Sequence, residues 1–127
     1  MVIGYTTGVF DMFHIGHLNI LRNAALMCDK LIVGVSTDKL VKKKGKKCKI
    51  PFEQRIEIVR SIKGVDVAIP QTTVNKVKDY KKLKFDVVIV GDDWFDDKRW
   101  KQYEKLMPGI KFCYFPYTEG ISSTNLK

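Results

Sequence analysis

Short apolar runs alternate with segments whose apolar residues recur at helical spacing, and this alternation predicts the fold. The apolar runs occupy residues 2–6, 31–36, 65–69, 87–91 and 111–115. Helical patterns fall between them at residues 16–28, 52–62, 74–83 and about 96–107. Strands that are apolar on both faces are typical of parallel sheets covered by helices on both sides. We therefore predict an α/β fold with a doubly wound, Rossmann-like, five-stranded parallel sheet and helices on both faces.

Polar segments follow four of these predicted strands. The first strand runs into residues 8–17, which read Gly-Val-Phe-Asp-Met-Phe-His-Ile-Gly-His, and the second ends at Ser-Thr-Asp, residues 36–38. The fourth and fifth strands end in residues 91–94 and 116–124. Because the carboxyl ends of parallel strands meet at one edge of the sheet, we expect a ligand site there, near the topological switch point.

The segment 8–17 also opens the first predicted helix, with His14, Gly16 and His17 at its first turn. Unpartnered backbone N–H groups at a helix start favour anions, and phosphate in particular. Two imidazoles three residues apart lie on one helix face and can donate to the same phosphoryl group. The segment therefore predicts phosphoryl-group chemistry. The alternatives are incidental polar residues at a helix start, or a two-histidine metal site with no obvious third ligand.

Charge adds a preference for anionic partners. The net charge is +9, from 23 Lys and Arg against 14 Asp and Glu, which attracts nucleic acid, an acidic membrane or phosphorylated small molecules. We expect the lysine-rich residues 39–49, with Gly45 at their centre, to form a flexible loop that acts as a lid over the anion site. A solvated lysine face is the alternative for this loop, and the preferred interpretation of the lysines at 76–84.

The remaining composition limits the classes of protein. We expect one domain, residues 1–127, whose last helix is cut short or missing because the chain ends just after residues 122–124. No apolar run approaches the roughly 20 residues that span a bilayer, and no signal-peptide pattern is present, so we expect a cytoplasmic protein. The three cysteines, Cys28, Cys48 and Cys113, have neither zinc nor disulfide spacing and are expected to be reduced thiols.

The pattern GxFDxxHxGH at residues 8–17, together with Thr-Glu-Gly-Ile-Ser-Ser-Thr at 118–124, resembles the cytidylyltransferase branch of the nucleotidyltransferase superfamily. The resemblance covers almost the whole chain. It implies a CTP-dependent enzyme that transfers CMP to a small phosphorylated alcohol, with glycerol-3-phosphate favoured, and releases pyrophosphate. It further implies Mg²⁺, a homodimer, no nucleic-acid partner, and a CDP-activated product for cell-envelope or capsule polymers.

The resemblance also assigns residues by position. His14 and His17 would stabilise the transition state, Lys44 would meet the acceptor phosphate and Lys46 the nucleotide phosphates. Lys76 and Asp11 would lie on the acceptor side, although Asp11 is also suited to orienting the turn. The nucleotide pocket would comprise Val9, Phe10, Gly16, Gly91, Asp93, Tyr117, Thr118, Glu119, Gly120, Ile121, Ser122, Ser123 and Thr124. The metal ligands stay open, since Asp92 and Asp93 fit a magnesium site and a turn cap equally well.

Several alternatives remain at this point. Tyr117 stands where the family has an arginine, and Lys63 and Val77 stand where it has an arginine and a lysine. These differences leave open the identity of the acceptor and of the nucleobase. Other acceptors are phosphoethanolamine, phosphocholine, a phosphonate or a sugar phosphate. An ATP-using adenylyltransferase is a further candidate. A nucleotide-binding or nucleic-acid-binding module without catalysis is the candidate from another class.

Overall fold

The computed structural model describes residues 1–43, 45–72, 76–91 and 109–115, and for 76–78, 90–91, 112 and 114–115 it describes the backbone alone. The elements are β1 (Ile3–Gly8), α1 (Ile15–Leu26), β2 (Lys30–Ser36), α2 (Asp38–Lys43), α3 (Phe52–Arg60), β3 (Val67–Gln71), α4 (Lys76–Leu83), β4 (Val87–Gly91) and β5 (Lys111–Phe115).

The described strands form a five-stranded sheet in the order β3-β2-β1-β4-β5. Every neighbouring pair in it is parallel. β1 lies at the centre, and the chain continues to β2 on one side and to β4 on the other. This reversal of strand order is the topological switch point, so the crevice beyond the carboxyl end of β1 is where a ligand is expected. The predicted doubly wound parallel sheet is confirmed.

The two faces of the sheet carry separate apolar clusters. On the first face, Leu21 and Ala24 of α1 and Ile56 and Val59 of α3 pack on alternate residues of the strands, Leu31, Val33, Val35, Val87 and Ile89. On the second face, Tyr5, Ile32 and Val88 pack with Phe85 and with Tyr80 and Leu83, which belong to the α4 region. Each fully buried aliphatic side chain contributes about 1.5–3 kcal/mol. Helices on both faces are therefore confirmed.

Tyr5 ties α4 to the second face. Its ring stacks on Phe85 at 4.9 Å between centroids, and its hydroxyl donates to Asp79 Oδ2 at 3.0 Å. Burial, reinforced by the Asp79 carboxylate, raises the pKa of the Tyr5 hydroxyl well above its usual range. Gly34 leaves the room for this hydroxyl, because a Cβ at Gly34 would lie 2.7 Å from the Tyr5 oxygen.

Three aspartates set the strand register at the amino edge of the sheet. Asp29, Asp66 and Asp86 each donate a backbone N–H to the carbonyl of a residue in the neighbouring chain segment. Each then accepts, through Oδ2, the backbone N–H of that same residue, at 2.7–2.8 Å. The partners are Val2, Leu31 and Ile3, respectively. Each aspartate thus makes a two-bond ring with one partner residue, and a one-residue slip would break both bonds.

The prediction of a flexible loop over residues 39–49 was wrong for its first half, because residues 38–43 form α2. The Thr37 hydroxyl accepts the N–H of Leu40 at 3.2 Å and so caps this helix. Leu40 and Val41 of this helix are buried. The helix has only these two apolar residues among its lysines, so the sequence shows no helical spacing of apolar positions there.

Other predicted bounds differ by a few residues. β3 begins at Val67 rather than at 65, because residue 66 closes the ring at the amino edge. The helix predicted at 74–83 is present as α4 from residue 76, and residues 74 and 75 lie outside the described residues. The predicted helix at about 96–107 lies outside the described residues. Within the described part of the chain, no helix combines the length and apolar character needed to cross a membrane.

We expect Asp66→Ala to lower the free energy of unfolding by about 1–2 kcal/mol, since a charge-assisted hydrogen bond to the Leu31 amide is lost. Urea titration followed by circular dichroism measures this. Glu57→Ala, on the exposed surface of α3, is the matched control and should change stability by less than about 0.5 kcal/mol. Equal losses in both variants would contradict a role for Asp66 in the register.

Candidate active site

The turn that follows β1 has an unusual backbone. Phe10 and Met12 have φ values of 55° and 49°, in the left-handed region. Such a conformation costs a non-glycine residue of order 1–3 kcal/mol and persists only where surrounding contacts impose it. The Phe10 ring also lies so close to Gly8 that a Cβ there would be 2.9 Å from it. The turn therefore folds its ring back over the end of β1 and directs the chain into α1.

His14 and His17 cap α1 reciprocally. His14 Nδ1 accepts the N–H of Gly16 at 3.0 Å, and His17 Nδ1 accepts the N–H of His14 at 3.2 Å. This is the arrangement of a capping box, in which the N-cap and N3 side chains each satisfy a backbone donor. Because both Nδ1 atoms accept, each neutral imidazole carries its proton on Nε2. The helix start thus determines the tautomer of both rings.

The imidazole of His17 lies among other rings. It stacks on His14 at 4.0 Å between centroids and lies 5.6 Å from Phe10 and 5.2 Å from Phe13. Burial, with a smaller contribution from neighbouring His14, lowers the pKa of His17 to about 4, although Asp11 acts in the opposite direction. At neutral pH, His17 is therefore an uncharged ring whose Nε2–H is a hydrogen-bond donor.

His14 offers a second donor. Its Nε2 is buried and has no hydrogen-bond partner among the described residues. A buried donor without a partner costs about 1–3 kcal/mol, and a phosphate oxygen would satisfy it. The expectation that the backbone amides of this helix start are all unpartnered was wrong for Gly16, whose N–H is taken by His14. The imidazole Nε2 atoms are the donors that this helix start provides.

Arg55 connects the chain segments around the site. Its side chain is fully buried, and its donors reach four acceptors at 2.6–2.9 Å, namely the carbonyls of Val9, Ser36 and Ile50 and Oδ1 of Asp38. Burial works against the charged form of Asp38, but bonds from the Phe52 amide and Arg55, with the Arg55 charge, outweigh it and lower the Asp38 pKa. Arg55 and Asp38 thus form an internal salt bridge.

Asp11 holds a second point of contact. Its oxygens Oδ2 and Oδ1 accept the N–H groups of Lys49 and Ile50, each at 3.0 Å, and the residue is only 7% exposed. These bonds give Asp11 the orienting role that its sequence position also allowed. Its predicted contact with an acceptor stays a prediction.

A basic cavity lies beside this turn. It has a volume of about 600 Å³, and its described lining consists of Asp38, Lys42, Lys46, Lys47, Cys48, Lys49 and Pro51. The lining has four lysines and one aspartate, and that aspartate is already paired with Arg55. The cavity therefore favours a multiply charged anion. Neither histidine is in that described lining. The hydrogen bonds that Asp11 accepts from the N–H groups of Lys49 and Ile50 connect the histidine turn to this side of the cavity.

The described structure thus brings together one group of the predicted site residues at the carboxyl edge of β1 and β2. These are Val9, Phe10, Asp11, His14, Gly16, His17 and Lys46. Gly91 ends β4 and Lys76 begins α4, and the structure describes only their backbone. Outside the described residues lie Lys44, Asp93, Tyr117, Thr118, Glu119, Gly120, Ile121, Ser122, Ser123 and Thr124.

No group of three or more metal-ligating side chains occurs among the described residues. Asp11 and Asp38 are both engaged with donors of the protein itself. Asp92 and Asp93, for which a magnesium site and a turn cap were equally open, lie outside the described residues. The part of the chain that is described therefore does not itself form a magnesium site.

Comparison with known proteins decides the family. A family model described as cytidylyltransferase-like matches residues 5–127. The chain belongs to the cytidylyltransferase-like family. It is 37% identical over 123 residues to the glycerol-3-phosphate cytidylyltransferase of Bacillus spizizenii, covering 96% of this chain and 92% of that protein. The enzyme of the same name from Staphylococcus aureus is also 37% identical over 96% of this chain and 89% of its own length.

The chain is also similar to proteins with other names. The FAD synthase of Ferroglobus placidus is 39% identical over 83% of this chain and 68% of its own length. Among solved structures, a lipopolysaccharide core biosynthesis protein from Thermoplasma volcanium superposes with a TM-score of 0.77 at 27% identity, covering 93% of this chain and 97% of the other. The predicted family and the predicted enzyme class, nucleotidyltransferase, are confirmed.

The depressed pKa of His17 makes stability depend on pH. The unfolded chain binds a proton at His17 below about pH 6.5, whereas the folded protein binds it only near pH 4. Stability from this group is complete above pH 6.5 and is lost as the pH falls towards 4. We expect wild type to lose about 1 kcal/mol more than His17→Asn between pH 7 and pH 5, after allowance for the partial exposure of His17.

Urea titrations at the two pH values measure this difference. Asn retains a side-chain oxygen as an acceptor for the His14 N–H, and every other titratable residue is present in both proteins. The comparison therefore isolates His17. An equal pH dependence in the two proteins would contradict a depressed pKa.

Proposed function

We propose that this protein transfers CMP from CTP to a small phosphorylated alcohol, with glycerol-3-phosphate as the preferred acceptor, giving CDP-glycerol and pyrophosphate. The observation that carries the proposal is the pair of imidazoles whose Nε2–H tautomers are fixed by the start of α1, at the switch point of the sheet and beside a cavity with four lysines. Similarity to two glycerol-3-phosphate cytidylyltransferases over 96% of the chain supports the choice of nucleotide and acceptor.

The proposed reaction needs donors rather than a base. An oxygen of the acceptor phosphate attacks the α-phosphorus of CTP, a new P–O bond forms, and the bond to the bridging oxygen of the β-phosphate breaks. The phosphate nucleophile is already an anion, so no proton has to be removed from it. His14 and His17 donate from Nε2 to oxygens of the α-phosphoryl group, where negative charge increases in the transition state. A neutral His17 meets this requirement over the physiological pH range.

The basic cavity supplies the charge that binds the substrates. We propose that Lys46 contacts the nucleotide phosphates and that Lys44, together with Lys76, contacts the acceptor phosphate. In this proposal, the backbone at Val9, Phe10 and Gly16 borders the nucleotide. Residues 117–124, with Gly91 and Asp93, complete its pocket. Holding both substrates in line converts a bimolecular reaction into a unimolecular one, which is the main contribution a protein makes to this type of transfer.

The family implies a divalent metal, and we propose Mg²⁺. The described side chains do not fit a site made by the protein alone, because Asp11 and Asp38 are already hydrogen-bonded. Magnesium is commonly bound through substrate phosphates with few protein carboxylates, so the triphosphate is its proposed ligand. A homodimer, a cytoplasmic location, the absence of a nucleic-acid partner and a role in cell-envelope or capsule polymers stay predictions.

An ATP-using adenylyltransferase is the second candidate. It is supported by the similarity to the FAD synthase of Ferroglobus placidus over 83% of the chain. Fold alone is shared with a pantoate-β-alanine ligase from Francisella tularensis, whose structure contains an ATP analogue, at a TM-score of 0.72 and 16% identity over 98% of this chain and 64% of the other. Phosphoethanolamine, phosphocholine, phosphonates and sugar phosphates remain acceptors to be compared.

Pyrophosphate release tests the proposal directly. We expect release with CTP, glycerol-3-phosphate and Mg²⁺, and a fall in kcat of roughly 100- to 1,000-fold in His14→Asn, because one transition-state donor is removed. Asn is a good N-cap residue, so this variant keeps the helix start while losing Nε2. Glu57→Gln on exposed α3 is the control with unchanged activity. Release with ATP and flavin mononucleotide alone would establish the second candidate, and binding of CTP without turnover would establish a non-catalytic module.

Lys46 tests the role of the basic cavity. We expect Lys46→Ala to raise KM for CTP about tenfold, since one charge-assisted contact to phosphate contributes about 1.5–3 kcal/mol. The value should converge towards that of wild type at high salt, where such contacts are screened. Lys82→Ala removes an equally charged, exposed side chain at the end of α4 and serves as the control. An unchanged KM for CTP would remove Lys46 from the nucleotide site.

A further inference from the structure

We propose that Asp11 and Arg55 form a positioning pair that holds the basic cavity in a fixed orientation to the two histidines. The pair acts on residues 46–50, here called the 46–50 segment, which contributes Lys46, Lys47 and Lys49 to the cavity. Its catalytic consequence rests on the proposed function, whereas its structural part can be measured without any substrate.

Ile50 is held by both of its peptide groups. Its N–H donates to Asp11 Oδ1 at 3.0 Å, and its carbonyl accepts from Arg55 Nε at 2.9 Å. The N–H of Lys49 donates to the other Asp11 oxygen, also at 3.0 Å. Three hydrogen bonds therefore hold two consecutive residues, Lys49 and Ile50. Because there is more than one bond, this end of the 46–50 segment cannot rotate freely.

The same two side chains reach the histidine turn. Arg55 Nη1 donates to the carbonyl of Val9 at 2.7 Å, and Asp11 itself lies in the turn, three residues before His14. The turn and the 46–50 segment are therefore connected twice, once through the guanidinium and once through the carboxylate. Two separate connections define an orientation as well as a distance.

The other end of the segment leads back to Arg55. The N–H of Lys46 donates to the carbonyl of Val41 in α2 at 3.2 Å. α2 begins at Asp38, whose Oδ1 accepts from Arg55 Nη2 at 2.6 Å. Both ends of the 46–50 segment are thus connected to the Arg55 guanidinium, one directly through Ile50 and the other through α2 and Asp38.

Burial of this guanidinium calls for an explanation beyond stability. A buried ion pair costs desolvation energy that its attraction often fails to repay, and apolar replacements of similar size are often neutral or stabilising. Arg55 lies on the buried side of α3 with Ile56 and Val59, where an apolar side chain would pack. What an apolar side chain cannot provide is a planar set of donors that reaches Val9, Ile50 and Asp38 at once.

In-line transfer makes this orientation matter. In the proposed reaction, Lys46 of the segment holds the nucleotide phosphates while the histidines donate to the α-phosphoryl group. A misplacement of about 1 Å between such groups can cost roughly 100-fold in rate. Asp11 and Arg55 are therefore positioning residues, since they act on the lysines and on the turn rather than on the substrate.

Amide hydrogen exchange of the substrate-free protein, measured by NMR, tests the structural part. We expect exchange of the Lys49 and Ile50 amides to become at least about tenfold faster in Asp11→Asn, because Asn cannot accept both bonds. The α1 amides of Leu21 and Ala24, buried in the core, should keep their rates. Unchanged exchange at Lys49 and Ile50 would overturn the proposal even if the variant were inactive.

Steady-state kinetics well below the unfolding midpoint test the catalytic part. We expect Asp11→Asn and Arg55→Lys each to lower kcat roughly 10- to 100-fold, with KM values for CTP and the acceptor within about threefold of wild type. Lys keeps the charge opposite Asp38 but cannot reach the three carbonyls. A purely structural role would lower the unfolding midpoint and leave kcat unchanged, which would overturn the catalytic part.

Two controls complete the experiment. Arg60→Lys makes the same substitution at an exposed position of α3 and should leave kcat within about twofold of wild type. The double variant Asp11→Asn with Arg55→Lys should lose less than the product of the single losses, because both act on Ile50. If Arg55→Lys does not fold, Asp11→Asn decides. If wild type shows no turnover with any substrate pair, the proposed function fails while amide exchange still decides the positioning pair.

Discussion

A single buried guanidinium, that of Arg55, joins the chain segments that meet at the carboxyl edge of the sheet. Its hydrogen bonds end on the turn after β1, on the last residue of β2, on the first residue of α2 and on the residue before Pro51. These segments are far apart in sequence, and parallel strands bring only their ends near one another. Without a side chain that satisfies the three carbonyls and one carboxylate, their polar groups would be buried without partners. The strained turn at Phe10 and Met12 persists within this frame.

The start of α1 shows how one set of bonds serves both structure and chemistry. Any helix start needs acceptors for its first N–H groups. In this protein the acceptors are Nδ1 atoms of the two histidines, so capping and tautomer selection are the same event. The rings of Phe10 and Phe13 then exclude water from His17 and keep it uncharged. The positive charge beside this ring comes from the lysines of the basic cavity, and His17 supplies a directed hydrogen-bond donor.

Much of this could be predicted from the sequence, because it depends on local patterns. Apolar runs such as 31–36 and 87–91 identified the parallel strands, and the two histidines three residues apart lie at the switch point of the sheet, where a ligand is expected. α2 was missed because its two buried residues, Leu40 and Val41, stand among lysines and give no clear period. The role of Arg55 depends on contacts 5 to 46 residues away in sequence. Its one local signal is its spacing of one and four residues from Ile56 and Val59, which places it on a buried face.

The three aspartates at the amino edge of the sheet separate two kinds of loop. Each fixes strand register through its own backbone and carboxylate, so the register depends on the last residue of the turns that precede Lys30, Val67 and Val87 and not on the rest of those turns. Those turns carry none of the predicted site residues. Their length and sequence can therefore drift, or accept an insertion, while the opposite edge keeps its geometry. In this fold, the turns that tolerate change lie at the amino ends of the strands, and the segments with the predicted site residues lie at the carboxyl ends.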